Sequence, residues 1–311
     1  MKPRVPAAAA AIVALCLLWG ASLVAAEVLL LTSWIEEHKN RVTLTATMTI
    51  DKTHNHPNSV GQGSNDGDLH FAGRAAAIGL PLVAEIVNAR LPDGDAGVDA
   101  VKAAQQSSEP VEIGGVWRLW FEHPGAEPQT QGETVPVPVH TNPDHIFEIH
   151  PVLAVDDLDL ATTFVPIPDY VPHAASKAFK HYEARVFTVT VGSPFTSINS
   201  KKALYNYAVF VIELAGEPEQ TSDEGWMVLA TVEDDEEEVL VAHARRMVFA
   251  PGTRPAEIIS EASAGDRFRV LAIPRVNLER LMAAGNQQPG VAVPVKGAYE
   301  MIIVGVFEED D

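Results

Sequence analysis

The chain has 311 residues, with 42 acidic against 22 basic side chains and a formal charge of −20. Such an acidic surface repels nucleic-acid phosphates and anionic headgroups and favours cationic partners, divalent metals included. The one cysteine, Cys16, sits near the N-terminus, so a chain trimmed there has neither a disulfide nor a thiolate site.

Lys2 and Arg4 precede an apolar run from Ala7 to Leu18, and small residues then lead to Ala26. This is the pattern of a secretory signal cut before Glu27, and it predicts a signal peptide over residues 1–26 and a periplasmic or secreted protein. Leu15 stands before Cys16 where a lipoprotein signal needs a small residue. An uncleaved segment would instead serve as an anchor, but a span reaching Leu31 would have to bury Glu27. After cleavage no membrane span is expected, and about 285 residues suffice for one large or two ordinary domains.

Strand signals dominate the mature chain. Val42 to Ile50 alternates strictly, with Val42, Leu44, Ala46, Met48 and Ile50 on one face and threonines on most of the other, as a half-buried strand does. A Gly- and Asn-rich loop runs from Asn55 to Gly67, followed by strands over Leu69 to Gly73 and Leu80 to Val87. Helical spacing appears over Val98 to Gln106, and two more strands cover Val116 to Glu122 and His145 to Val155. Five strands with a helix between the third and fourth is the order of an OB-type barrel. A proline-rich stretch from Asp156 to Pro172 then reads as a boundary.

A helix over His173 to Glu183 opens the second half. Strands are expected over Ala184 to Val191, Asn206 to Ala215, Gly225 to Val232, Val239 to Phe249, Arg267 to Ile273 and Tyr299 to Phe307. Helices are expected over Pro255 to Ser263, capped by Thr253, and over Arg275 to Ala284. The acidic run Glu233 to Glu238 reads as a solvated hairpin tip in preference to a cation site. The halves share a rough strand–helix–strand order without a residue-level repeat. The expected fold is mainly β: an OB-like five-stranded barrel over residues 27–158, then a second β-rich barrel or sandwich with a few helices over 159–311.

Polar chemistry concentrates in the first half, where seven of the eleven histidines lie between His54 and His150. In an extended Asp66-Gly67-Asp68-Leu69-His70-Phe71, alternation puts Asp66, Asp68 and His70 on one face. Glu148 and His150 likewise project together, opposite Phe147 and Ile149, and Arg118 and Trp120 share a face opposite Trp117, Leu119 and Phe121. If these faces adjoin on one barrel, Asp68, His70, Glu148 and His150 converge. Two carboxylates and two imidazoles suit one divalent zinc, manganese or iron, with His54 and His56 as further donors. The same residues also make a structural network of ion pairs, and Asp-Gly-Asp is ordinary turn chemistry. The candidate ligand-binding set is thus Asp66, Asp68, His70, Arg118, Trp120, Glu148 and His150. Nucleophile-elbow, phosphate-loop and dinucleotide motifs are missing from the sequence.

These motifs carry a resemblance. Val42 to Ile50, Asp66 to His70, Leu82-Val83-Ala84-Glu85-Ile86, Trp117 to Glu122 and Glu148-Ile149-His150-Pro151-Val152 together resemble a group of bacterial OB-like barrel proteins with no assigned activity. The resemblance implies the fold of the first half. A fainter similarity is to micrococcal-type nucleases, whose Asp-Gly-Asp at a calcium site matches Asp66 and Asp68. That family's next motif residues, an Arg and a Thr-Pro-Glu-like segment, have no clear counterpart here, Arg74 and Glu85 being the residues that could be proposed for them. The expected function is an exported, non-enzymatic binding or interaction protein with a small molecule or protein as partner and not nucleic acid. The alternative is a metal-dependent hydrolase of the phosphodiesterase type built on the Asp/His/Glu cluster.

Overall fold

The computed structural model describes residues 26–307. The expected signal peptide lies outside the described residues except for Ala26. Among the described residues no helix is long and apolar enough to cross a membrane.

Strand β1 (Ala26–Leu31) and helix α1 (Thr32–His38) lead into β2 (Thr43–Thr53), β3 (Leu69–Arg74) and β4 (Leu82–Ile86). Helix α2 (Pro92–Ser107) comes next, then β5 (Val111–His123), the short β6 (Gln129–Thr130), β7 (His145–Val155) and β8 (Leu158–Asp159). Helix α2 begins six residues before the expected Val98, because its first turn is written in capping chemistry and not in apolar periodicity. Pro92 opens it, Asp93 and Asp95 face the helix N-terminus, and Ser108 in the left-handed region ends it.

Strand β2 pairs antiparallel with β3 and β5, β3 pairs with β4, and β7 closes the ring, parallel to β4 and antiparallel to β5. The result is a closed five-stranded barrel with OB-type connectivity, as the strand order predicts. Leu44, Met48, Phe71, Trp117, Phe147 and Ile149 belong to its apolar core. Gly115 is required where β5 crosses β7, since a Cβ there would lie 2.5 Å from Ile149 Cγ2 and 2.6 Å from the Pro151 carbonyl oxygen.

The second half begins with α3 (Ala175–Ala184), β9 (Val186–Thr190) and β10 (Phe195–Ser200). It continues through β11 (Ala208–Leu214), β12 (Glu219–Gln220), β13 (Trp226–Glu233), β14 (Arg245–Phe249) and α4 (Arg254–Ser260). The last elements are β15 (Arg267–Val276), α5 (Leu278–Gly285), β16 (Val293–Lys296) and β17 (Tyr299–Val306). Thr253 caps α4 as expected, its hydroxyl accepting from Ala256 N. Helix α5 starts later than expected because Arg275 and Val276 are still in the sheet, and Asn277 caps it instead.

Strands β11, β13, β14, β17 and β15 close a second barrel. Strand β11 pairs with β13 and β15, β13 with β14, and β14 runs parallel to β17, which pairs antiparallel with β15. This is the connectivity of the first barrel, with α4 in the place of α2. The sequence alone supports only a rough likeness between the halves; the pairings make it a repeat of topology.

Two further features join the halves. Strands β16, β9, β10, β1 and β6 form a third sheet drawn from both sides of the expected boundary, with Ala26 opposite Ser200. The outer faces of the barrels also meet through a second apolar cluster, with Val87 and Val116 from the first and Val248, Ile273 and Ile302 from the second. The acidic tip over 233–238 is held by ion pairs: Glu233 with Arg267 at 2.5 Å and Asp235 with Arg269 at 3.0 Å.

Candidate functional site

Alternation along a barrel strand sends one set of side chains inward and the other out. Leu69, Phe71, Ala84, Ile86, Phe147 and Ile149 pack in the core, so Asp68, His70, Glu85, Glu148 and His150 face outward. That outer face is covered. Asp68 and His150 are each 0% exposed and Glu85 is 4% exposed. The cover comes from the linker between the barrels, where Tyr207 is buried with Phe164 and Ile167.

Within this sealed layer the predicted residues come together. His150 Nε2 lies 3.3 Å from Asp68 Oδ2 and 3.1 Å from the Tyr207 hydroxyl, which donates to Asp68 Oδ2 at 2.6 Å. His150 Nδ1 lies 3.4 Å from Glu85 Oε2 and 3.6 Å from Glu148 Oε2. His70 Nε2 approaches Glu85 Oε2 at 3.2 Å, and the His70 ring stacks on His54 at 5.1 Å. Asp66 accepts from Asn58 Nδ2 at 3.0 Å and from the Asp68 backbone at 3.2 Å. Glu148 is engaged at both oxygens: Arg118 donates to Oε2, and His145 Nε2 lies 3.0 Å from Oε1.

Trp120 and His56 stand apart from this cluster. The Trp120 ring is buried against Tyr182 and Phe187 with the Arg185 guanidinium over it at 5.3 Å, and His56 is exposed. Two participants beyond the predicted site set matter most. Glu85 is the lone charged residue of an otherwise apolar β4, Leu82-Val83-Ala84-Glu85-Ile86, a signal open to sequence reasoning. Tyr207 arrives from the second half with no local signature at all.

Electrostatics follow from burial and the uneven supply of charge. Burial opposes a charge on His150, but Glu85, Asp68 and Glu148 outweigh it and hold the imidazole up at about 10. Burial pulls His70 down to about 3, with His54 and His150 adding to the effect. Burial pushes Glu85 well above the carboxylate range and raises Asp66 to about 7, the latter helped by Asp68. Glu148 moves the other way: burial disfavours its charge, yet Arg118 and His145 hold it well below the usual range. The layer therefore sets Arg118 against Glu148 and leaves His150 among Glu85, Asp68 and Glu148, an acidic surplus that adds to the upward push on Glu85.

Asp68, Glu85 and His150 offer one donor atom each, all within 4.8 Å of one another. His70 and Glu148, expected as ligands, adjoin this set without being part of it.

No family of known proteins matches the chain, and no curated protein matches it either. Solved structures of the single-stranded DNA binding protein from Thermus aquaticus, the wild type and a deletion mutant, align with 76% of this chain and with 84% and 85% of theirs. Identity is 10% and 12%, and the TM-score is 0.18 for both. The barrel assignment rests on the strand pairings and not on this likeness.

Proposed function

We propose that the chain is an exported, non-enzymatic binding protein in which the first barrel is scaffold and the second presents the ligand surface. OB-type barrels bind on the outer face of their second and third strands, next to the loop joining the first two. In the first barrel that face is β3–β4, and it lies under the linker. In the second it is β13–β14, which carries an open cleft of about 670 Å³ lined by Met227, Leu229, Glu217, Glu219, Thr221 and Arg246. The observation that carries the reading is Leu229, 55% exposed on that face while β13's inward residues are buried. An apolar floor with Glu217 and Glu219 beside it suits a neutral or cationic small molecule or peptide and opposes polyanions. Arg246 is already bound to Glu300 and Glu279, so it offers little to an anion.

The sealed Asp/His/Glu layer weighs against the hydrolase alternative, because a substrate has no route to it. The test is a thermal-shift screen of neutral and cationic compounds on the mature chain, repeated with Leu229→Asp. Hits should lose their stabilisation in the variant, whose own melting should change little. Turnover of a phosphodiester or ester substrate that disappears in His150→Ala would overturn the proposal. N-terminal sequencing of protein from its native compartment should begin at Glu27.

A further inference from the structure

We propose that Asp68, Glu85 and His150 form a buried divalent-cation site, with zinc or manganese as the fitting ion, that fastens the first barrel's outer face to the linker bearing Tyr207. This is separate from the β13–β14 cleft and does not depend on it.

The choice of ligands follows from which atoms are already committed. Glu148 gives one oxygen to Arg118 and the other to His145, so it has nothing left for an ion. Asp68 Oδ1, Glu85 Oε2 and His150 Nδ1 are buried and have no hydrogen-bond partner. Buried polar atoms in folded proteins are nearly always paired, yet each of these three side chains carries an orphan, and each offers a donor atom within 4.8 Å of the other two. The short approaches of Glu85 to His70 and His150 miss hydrogen-bonding geometry, which is how donors look when they are arranged around a shared centre.

The spacing agrees. Tetrahedral donors at roughly 2.0–2.2 Å from an ion stand about 3.3–3.6 Å apart, and His150 Nδ1 lies 3.4 Å from Glu85 Oε2. The other ring nitrogen, Nε2, keeps Asp68 Oδ2 and the Tyr207 hydroxyl within 3.3 Å and 3.1 Å. A metal-bound imidazole usually has such a partner behind it, which fixes its tautomer and orientation. Asp68 then presents its free Oδ1. Two carboxylates and an imidazole favour borderline ions over the hard, oxygen-only cages of calcium and magnesium. His70 adjoins Glu85 at 3.2 Å, and its side chain is 16% exposed.

The test measures metal by elemental analysis of the full mature chain. Samples are purified without chelator, then stripped, then reloaded with zinc or manganese alone. Wild type should hold about one ion per chain, lose melting temperature on stripping and regain it on reloading. Glu85→Gln and His150→Ala should lose at least ~10-fold in affinity, whereas Glu148→Gln, although less stable, should keep the ion. A wild type that takes up no ion and melts identically with chelator overturns the proposal without the aid of any variant, and leaves the cleft reading standing. Retention by Glu85→Gln, or loss in Glu148→Gln, overturns the ligand assignment.

Discussion

The two barrels share one connectivity and one buried device, and they differ in what surrounds it. In the first, Arg118 on β5 sits opposite Glu148 on β7; in the second, Arg275 on β15 sits opposite Glu300 on β17. Each arginine bonds its own glutamate and reaches into the other barrel. Arg118 Nε donates to the Pro274 carbonyl at 2.9 Å, and Arg275 Nη1 donates to the Trp117 carbonyl at 3.1 Å. The carbonyl used is in each case the one just before the partner arginine, so the exchange is reciprocal. Two residues past the glutamates the barrels part. Beside Ile302 the second barrel places Val248; at the matching step the first places His150 near Glu85. The joint is common to both barrels, and the polar layer belongs to one alone. A feature present in both halves reads as architecture, whereas one confined to a single half reads as added chemistry.

The largest effect should come from breaking the shared device. Arg118→Met leaves Glu148 buried without its arginine, with His145 and His150 alone beside it, and Arg275→Met strips Glu300 of one of its two arginines; each should cost about 3–5 kcal/mol. If the reciprocal exchange works as one unit, the double variant should cost less than the sum of the singles by about 0.5–3 kcal/mol. Urea unfolding of all four proteins measures this, and strict additivity would mean that the arginines act independently.

A second change writes the second barrel's pair into the first. In chelator-treated protein, Glu85→Val alone leaves His150 short of a counter-charge and should destabilise by about 1–3 kcal/mol. Adding His150→Ile should recover most of that loss, since apolar replacement of a buried ionic pair is often neutral or better. If the double variant is worse than the single, the layer is doing more than filling space.

The smallest effect concerns pH. Asp66 titrates near 7 when folded because burial raises it. The native state therefore holds a proton there that the unfolded chain has given up, and stability falls as pH rises between about 4 and 7. Asp66→Asn should flatten that part of the profile in chelator-treated protein. Unfolding midpoints across pH check this, and an unchanged slope in Asp66→Asn would remove Asp66 from the account.

Much of the first barrel is legible in the sequence, for a physical reason. Alternation with period two is local, so β2, β3, β5 and β7 announce themselves, and with them the shared outward direction of Asp68 and His70 and of Glu148 and His150. Closure of the first barrel agrees with the order of strands and helix. The missing parts all depend on partners distant in sequence. Tyr207 reaches Asp68 from the other half, and nothing in Tyr-Asn-Tyr-Ala signals it. Strands β10 and β16 alternate too weakly to register. The second half is ambiguous between barrel and sandwich because the pairing of β11 with β13 and β15, which closes it, leaves no local trace. The repeat is hidden for the same reason: it resides in pairings and in one arginine–glutamate couple, not in matching residues.

The third sheet has a consequence for how the chain assembles. Strand β1 is among the earliest described segments to be synthesised, yet Glu27 bonds Ser197, 170 residues downstream. A strand whose partner is that remote must overcome a large loop-closure entropy before any contact offsets it. The first barrel has all its strands once Val155 is made, so β1 should wait beside it, unpaired on its β10 side, until the second half supplies β10. Its pairing is then the late event that commits the two halves to each other, and removing β10 should leave an early-born strand edge open to intermolecular pairing.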